Sequence, residues 1–384
     1  MSSSTRIVIA PDKFKGSLAG IEVAKALEAG FKSVYPEAAY ELIPVADGGD
    51  GTMEALLHAA GGRAVSRSVR GPDLRQRTAS FALLGDGESA VVEMARASGL
   101  ALVAPGKNDP RTATTFGTGE LIGAALDAGA RRIVVAIGGS ATNDAGSGAL
   151  RALGARFLDE HDRELGPGGA ELARLRRIDA AALQRRLTGA SIEIATDVQN
   201  PLCGPNGASA VYGPQKGATP AVVRELDSAL SHFADVVAAL VGADLRNVPG
   251  TGAAGGFGFG FLALAGASLR GGAELVLKTL DFDRRIAGAA LTVTGEGKLD
   301  RQTLSGKAPY AVAQAARRQG IPTVAVAGSI ECSPDDLERI GIVDAEAAKP
   351  ADMPLETAMQ RAVELATSAA GRLAQRVRER GLVR

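Results

Sequence analysis

Apolar and polar positions follow two different periods along the chain, and the order of those periods is the first structural information. RIVIAPD (6–12) is a continuous apolar run of the kind buried strands carry. IEVAKALEAGFKSV (21–34) then repeats its apolar residues at helical spacing. YELIPVAD (40–47) is a second strand-like run, and TMEALLHAAGG (52–62) is helical and stops at glycine. The chain thus begins β-α-β-α. The pattern changes at RTASFALL (77–84) and AVVEMA (90–95), which flank GDGES and read as a hairpin. Helical spacing over 119–130, a strand at 131–139, a helix at 145–155 and a strand at 191–197 follow. A long helical stretch (220–241) and a glycine-rich segment (250–260) lead back into alternation. Strands are expected at 290–297, 321–328 and 342–348, helices at 308–320 and 335–341, and a long amphipathic helix from about Leu355 to Arg380.

Parallel βαβ character at both ends, with a hairpin-bearing region between them, predicts an α/β fold in two parts. Residues 1–70 and 285–384 are expected to form a discontinuous doubly wound parallel-sheet domain of Rossmann or flavodoxin type. Residues 71–284 are expected to form an inserted α/β domain with a mixed sheet, and the active site is expected in the cleft between the two. A simple division near residue 160 is the competing organisation.

Composition narrows the function classes. Of the 384 residues, 46% are hydrophobic and 22% charged, which suits packed globular structure. The 43 basic and 43 acidic residues cancel, so there is no basic surplus of the kind nucleic-acid binding needs. Aromatics make up only 4%, with no Trp, which argues against a stacking platform for single strands. Cys203 and Cys332 cannot build a disulfide framework or a cysteine zinc site. His58, His161 and His232 are too scattered to suggest a histidine metal site. No apolar run is long enough for a membrane span, and the start lacks the apolar region of a signal peptide, so a soluble cytoplasmic protein is expected.

The chemistry-bearing residues gather where strands are expected to end. These are Asp12-Lys13-Phe14-Lys15, Asp47-Gly48-Gly49-Asp50, Gly139-Ser140 with Thr142-Asn143-Asp144, Asp197, and Lys298 with Asp300. A single such Asp is ordinarily a turn former or a helix cap. Repeated after strand upon strand, the combination suits phosphoryl transfer: glycine loops and helix starts offer amides to phosphate, lysines neutralise charge, and carboxylates hold Mg²⁺ or take a hydroxyl proton. TGEGKLDRQTLSGKAP (294–309) contains Gly306-Lys307 but has Arg301 and Ala308 where a P-loop needs Gly and Ser/Thr. GTGAAGG (250–256) fits a dinucleotide pattern literally, yet LRNVP before it makes a poor strand. No G-x-S-x-G or H-E-x-x-H occurs.

Taken together, APDKFKGSL, ADGGDGT, IGGSATNDAGSG, ATDVQNPLCGPNGASAVYGPQKGA, GTGAAGGFGFG and TGEGKLDRQTLSGKAP resemble the bacterial glycerate kinase family, over nearly the whole chain. The resemblance implies ATP-dependent phosphorylation of D-glycerate, usually at the 2-hydroxyl to give 2-phosphoglycerate, with Mg²⁺ and without a P-loop. It implies small-molecule partners only, with neither nucleic acid nor membrane, and it is compatible with a homodimer. On this basis Asp197, Asp47 and Lys15 are the expected catalytic residues, with Asp197 favoured over Asp47 as base. Lys13, Asp12, Gly48, Gly49, Asp50, Gly139, Ser140, Thr142, Asn143 and Asp144 are expected around substrate. Gly295, Gly297, Lys298, Ser305, Gly306 and Lys307 are expected around ATP phosphates, with Asp300 and Asp197 as metal ligands. Two other classes fit parts of the pattern: a dehydrogenase using 250–255 as its dinucleotide loop, and a non-catalytic sensor of a phosphorylated metabolite. The carboxylates weigh against the sensor, because a bare anion binder has little use for Asp47, Asp50, Asp197 and Asp300.

Overall fold

The computed structural model describes residues 5–49 and 51–383, with Ser305 described by its backbone only. Asp50 and the Ser305 side chain, both expected at the site, lie outside the described residues. Contacts divide the chain into two compact units: Met1–Asp47 with Glu54–Gly61 and Gly271–Arg384, and Gly48–Met53 with Gly62–Arg270.

The first unit is built on a five-stranded parallel sheet in the order Ile342–Ala347, Thr323–Ile330, Leu291–Leu299, Arg6–Pro11, Ala39–Leu42. Numbered within the unit and read from the Ala39–Leu42 edge, the order is 2-1-3-4-5, the flavodoxin-type doubly wound arrangement. The central strands are buried on both faces, which is why RIVIAP and LTVTG read as unbroken apolar or β-branched runs. On one face, helices Gly20–Lys32 and Ala362–Glu379 cover Ile7, Ile9, Val293, Val324 and Val326. On the other, Ala325 and Ala327 meet Ala313, Leu337 and Ile340. Glu22 starts the first helix by accepting the Ala19 N–H at 2.8 Å. The expected strand at 40–47 is shorter, because Pro44 has no N–H to donate. Ile43 and Val45 nevertheless continue the ladder to Ile9 and Pro11 carbonyls. The long closing helix is two, Leu355–Gln360 and Ala362–Glu379.

The second unit carries a mixed six-stranded sheet in the order Ser268–Arg270, Ser191–Ala195, Arg132–Ala136, Ser89–Glu93, Gln76–Leu84, Gly62–Arg70. The first four strands run parallel, and the last two are antiparallel additions. The expected hairpin is present, with Ala82 opposite Val91. Gly62–Arg70 has no counterpart in the sequence-based expectation. It is an edge strand, mostly exposed, and its Arg and Ser residues mask the apolar signal. Its nine-residue pairing with Gln76–Leu84 draws 62–70 into the second unit, earlier than the expected boundary. Helices Gly272–Thr279 and Phe282–Ile286 pack against Ala308–Arg318, so the return to the first unit also falls earlier, at 271.

Gly30 is the contact point of the two helices on the sheet. A Cβ there would lie 2.5 Å from both Ala370 Cβ and the Thr367 carbonyl. Gly30→Ala gains about 1 kcal/mol of helix propensity but forces backbone apart at a cost of about 1–3 kcal/mol. The urea midpoint is therefore expected to fall; an unchanged or higher midpoint would show that this packing is not tight.

Candidate active site

Ligands of open α/β sheets bind beyond the carboxyl ends of the strands, at the point where strand order reverses. In the first unit that point lies between Arg6–Pro11 and Leu291–Leu299. Pro11 is opposite Gly295, and Asp12 N–H donates to the Gly295 carbonyl at 2.8 Å. Glu296 follows on the partner strand. Asp12 and Glu296 thus leave the sheet side by side, nearly sealed from water at 8% and 6% exposure.

Burial is the largest reason that each carboxyl is pushed up to about 7, since it withholds the water that would stabilise charge. Repulsion from Asp47 adds to both, and Asp300 adds to Glu296. Several groups oppose the rise. Lys13 N–H donates to Asp12 Oδ1 at 2.6 Å, the Thr303 hydroxyl donates to Glu296 Oε1, and Lys307 Nζ stands 3.8 Å from Glu296 Oε2. Two acids poised near neutrality in a dry crevice form a place that a proton or a cation completes.

Glu296 and Thr303 escaped the sequence reading. The available signal was one acid inside an otherwise apolar strand, TVTGEG, where a charge has no structural reason to be buried. Gly295 serves the sheet itself, since a Cβ there would fall 2.2 Å from the Val326 carbonyl. Asp300 Oδ1 accepts the Gln302 N–H at 2.8 Å, and Asp300 N–H donates to the Thr303 hydroxyl at 3.1 Å. Asp300 therefore shapes the turn that aims Thr303 at Glu296. Lys298, expected at ATP phosphates, is an exposed residue paired with Glu331 at 2.8 Å. Gly306 takes φ +116° and leads through Lys307 into helix Ala308–Arg318, whose start has no side-chain cap. Unsatisfied amides beside a lysine suit an anion. Lys15 and Gly16 are exposed, and a Cβ on Gly297 would lie 3.3 Å from Lys15 N, so the 12–16 segment crosses the strand end closely.

The second unit holds the remaining expected residues. Asp144 is fully buried, and its carboxylate accepts from Thr115 N–H (2.8 Å), Thr115 Oγ1 (2.9 Å), Gly146 N–H (3.1 Å) and Gly148 N–H (3.3 Å). Burial raises its pKa against those bonds. Its bonds fasten the 144–148 turn to the start of helix Phe116–Asp127, a structural use where substrate binding was expected. Lys216, which sequence reading missed, is 2% exposed and donates to Ser140 Oγ (2.8 Å) and the Thr142 carbonyl (2.7 Å). Burial lowers it to about 7. Ser140 and Thr142 thus belong to an internal brace. Asn143 Nδ2 donates to Ser209 Oγ, while Asn143 Oδ1 and Thr142 Oγ1 are buried without a hydrogen-bond partner. Gly139 and Gly48 adopt φ +72° and +82°, and Gly49 passes within 3.2 Å of a Cβ on Gly138. The start of helix Thr52–Ala60 already receives a carboxylate, because Met53 N–H donates to buried Glu93 at 2.9 Å. Asp197 is exposed just past strand Ser191–Ala195. Gly255 and Gly256 of the dinucleotide-like stretch adopt positive φ, and a Cβ on Gly255 would fall 2.1 Å from the Thr142 carbonyl. Those glycines serve backbone packing.

Mg²⁺ takes oxygen ligands and needs only one or two carboxylates when phosphates supply the rest. Among the described residues, no three acidic, His or Cys side chains form a ready-made cage. Asp12 and Glu296 fit such an ion as a pair: they offer only oxygens, and a cation would relieve their poorly solvated charge.

The raised pKa values give a stability test. The folded chain holds protons that the unfolded chain releases above about pH 4. The two acids therefore destabilise the fold increasingly as pH rises from about 4 through 7, and the cost then levels off. Glu296→Gln removes its share. The variant should be more stable than wild type at about pH 8 by about 1–3 kcal/mol, with the difference closing by about pH 4. A variant less stable at the higher pH would contradict the assignment.

The geometry accords with what the chain is similar to. A profile of the glycerate kinase family matches residues 7–378. Glycerate kinase of Bacillus subtilis is 48% identical over 359 residues, 94% of each chain. Glycerate 2-kinase of Escherichia coli is 47% identical over 325 residues, 85% of each chain. A crystal structure from Salmonella typhimurium, of a protein named glycerate kinase 2, matches with a TM-score of 0.90 at 44% identity, over 98% of this chain and 99% of that one. Motifs, fold and full-length likeness agree, and the chain is an enzyme that belongs to the glycerate kinase family.

Proposed function

We infer that the chain transfers the terminal phosphoryl group of MgATP to the 2-hydroxyl of D-glycerate, giving 2-phosphoglycerate and ADP, by in-line displacement without a P-loop. The observation that carries this reading is the buried Asp12–Glu296 pair at the switch point, with Lys307 3.8 Å from Glu296. The 2-hydroxyl is supported by the name of the Escherichia coli relative.

Asp12 and Glu296 would hold Mg²⁺, which when bound neutralises charge on the phosphates. Lys307 and the amides at the start of Ala308–Arg318 would orient the phosphates, and Lys13 and Lys15 would face the anionic substrate. Asp47 lies within electrostatic reach of both buried acids, which supports it as the group that would take the hydroxyl proton; Asp197 is the alternative base. An exposed or half-buried carboxylate accepts a proton as the hydroxyl attacks, while burial of the neighbouring acids excludes water that would divert the phosphoryl group.

Phosphorus NMR of a reaction with MgATP and D-glycerate should show 2-phosphoglycerate; 3-phosphoglycerate as the main product would overturn the regiochemistry. Loss of a true base costs about 10²–10⁴-fold in kcat. Asp47→Asn should show that loss at saturating Mg²⁺, and Asp197→Asn should stay within about tenfold. The opposite ranking moves the base to Asp197.

A further inference from the structure

The first unit also holds a cavity lined by neither Asp12 nor Glu296. It measures about 140 Å³ and opens beside the carboxyl ends of Leu291–Leu299, Thr323–Ile330 and Ile342–Ala347. Its floor is glycine backbone, at Gly297 and Gly328, and its walls are mostly apolar, among them Phe14, Ala348, Ala358 and Met359. Phe14, Ala348 and Ala358 are buried at 5%, 6% and 7% exposure, so the space is built into the core. Leu355 at its lip is 66% exposed. Polar groups are few: Lys15, Lys349, Ser17 and Ser329. Lys349 Nζ is already engaged, donating to the Pro350 and Met353 carbonyls at 3.0 and 2.9 Å.

Glycine backbone on the floor, with Phe14, Met359 and Leu365 among the walls, leaves a slot suited to a flat apolar group. An apolar cavity of about 150 Å³ takes up a benzene ring, so the size suits an aromatic heterocycle. The position decides which kind. Gly297 lines the cavity and directly follows Glu296; Phe14 lines it and lies two residues beyond Asp12. The Lys15 backbone crosses Gly297 closely enough that a Cβ there would lie 3.3 Å from Lys15 N. A ligand with its ring in the slot would therefore emerge at Lys15, next to the buried acids. A flat ring joined to a polyanion is a nucleotide.

We propose that this cavity receives the nucleobase of the phosphoryl donor, with Phe14, Ala358 and Met359 as its walls, Leu355 as its cover and Lys15 at the exit toward the phosphates. The assignment rests on the kinase reading and adds the place and chemistry of donor recognition. It also gives a use to the exposed leucine.

The test uses the full-length enzyme and two variants. Ala358→Phe fills the slot, and Leu355→Ala removes an exposed side chain that folding does not need. Calorimetric titration with ADP gives the affinity directly. Ala358→Phe is expected to weaken ADP at least tenfold and to raise KM for ATP likewise, with KM for glycerate unchanged. Leu355→Ala is expected to weaken ADP about threefold or more with an unaltered melting temperature. If both variants bind ADP as wild type does, the cavity is not the nucleobase site. If wild type binds ADP but phosphorylates no glycerate, the kinase reading fails, while the shifts in ADP affinity still decide the cavity.

Discussion

Everything at the site depends on one parallel pairing between segments far apart in the sequence. Arg6–Pro11 lies in register with residues from Leu291 onward, so the start of the chain is completed by a strand that arrives after the whole second unit. The pairing fixes the order 2-1-3-4-5, and with it the place where strand order reverses. It also sets Pro11 beside Gly295, so that the next residues, Asp12 and Glu296, are two acids brought together where neither segment alone shows a pair. A shift of one residue would turn every core side chain of Arg6–Pro11 to the opposite face. Ile7 and Ile9 would then leave the core they share with the helices Gly20–Lys32 and Ala362–Glu379.

The acids themselves are a cost that the fold carries. Burial outweighs every hydrogen bond and lysine near them, and the result is a pair near neutrality instead of two ordinary carboxylates. A carboxylate that is fully answered is lowered despite burial, as the Arg163 N–H, the Arg163 guanidinium and the His161 N–H lower Asp159 to about 2. The contrast separates the two uses of acid in this chain. Asp159 is answered by Arg163 and Arg174; at Asp12 and Glu296 the charges of Lys13 and Lys307 and the local donors are outweighed by burial and by neighbouring acids. An incompletely answered charge at a strand end is what a ligand supplies.

The parallel sheet was legible in the sequence because its central strands are buried on both faces and carry mostly apolar or β-branched residues. The edge strand Gly62–Arg70 was not, because it is exposed on most of its length and has almost no apolar signature. Asp12 and Asp47 stood out as acids at expected strand ends, and Lys307 as a lysine at an expected helix start. Glu296 was hidden inside a strand, and Lys216 looked like one more loop lysine. Asp144 and Lys298 looked available and are engaged, the first by five donors of its own unit and the second by Glu331. Which polar residue faces inward is decided by pairing between distant segments, and no local pattern reports it.

The central claim is that Asp12 and Glu296 form one cation-dependent centre. Crystals of the full-length chain grown with Mn²⁺ and a non-hydrolysable ATP analogue test it without relying on turnover. The account predicts an anomalous peak at metal–oxygen distance, about 2.0–2.4 Å, from Asp12 or Glu296 and shared with analogue phosphates. A bound analogue whose metal contacts neither residue would contradict it.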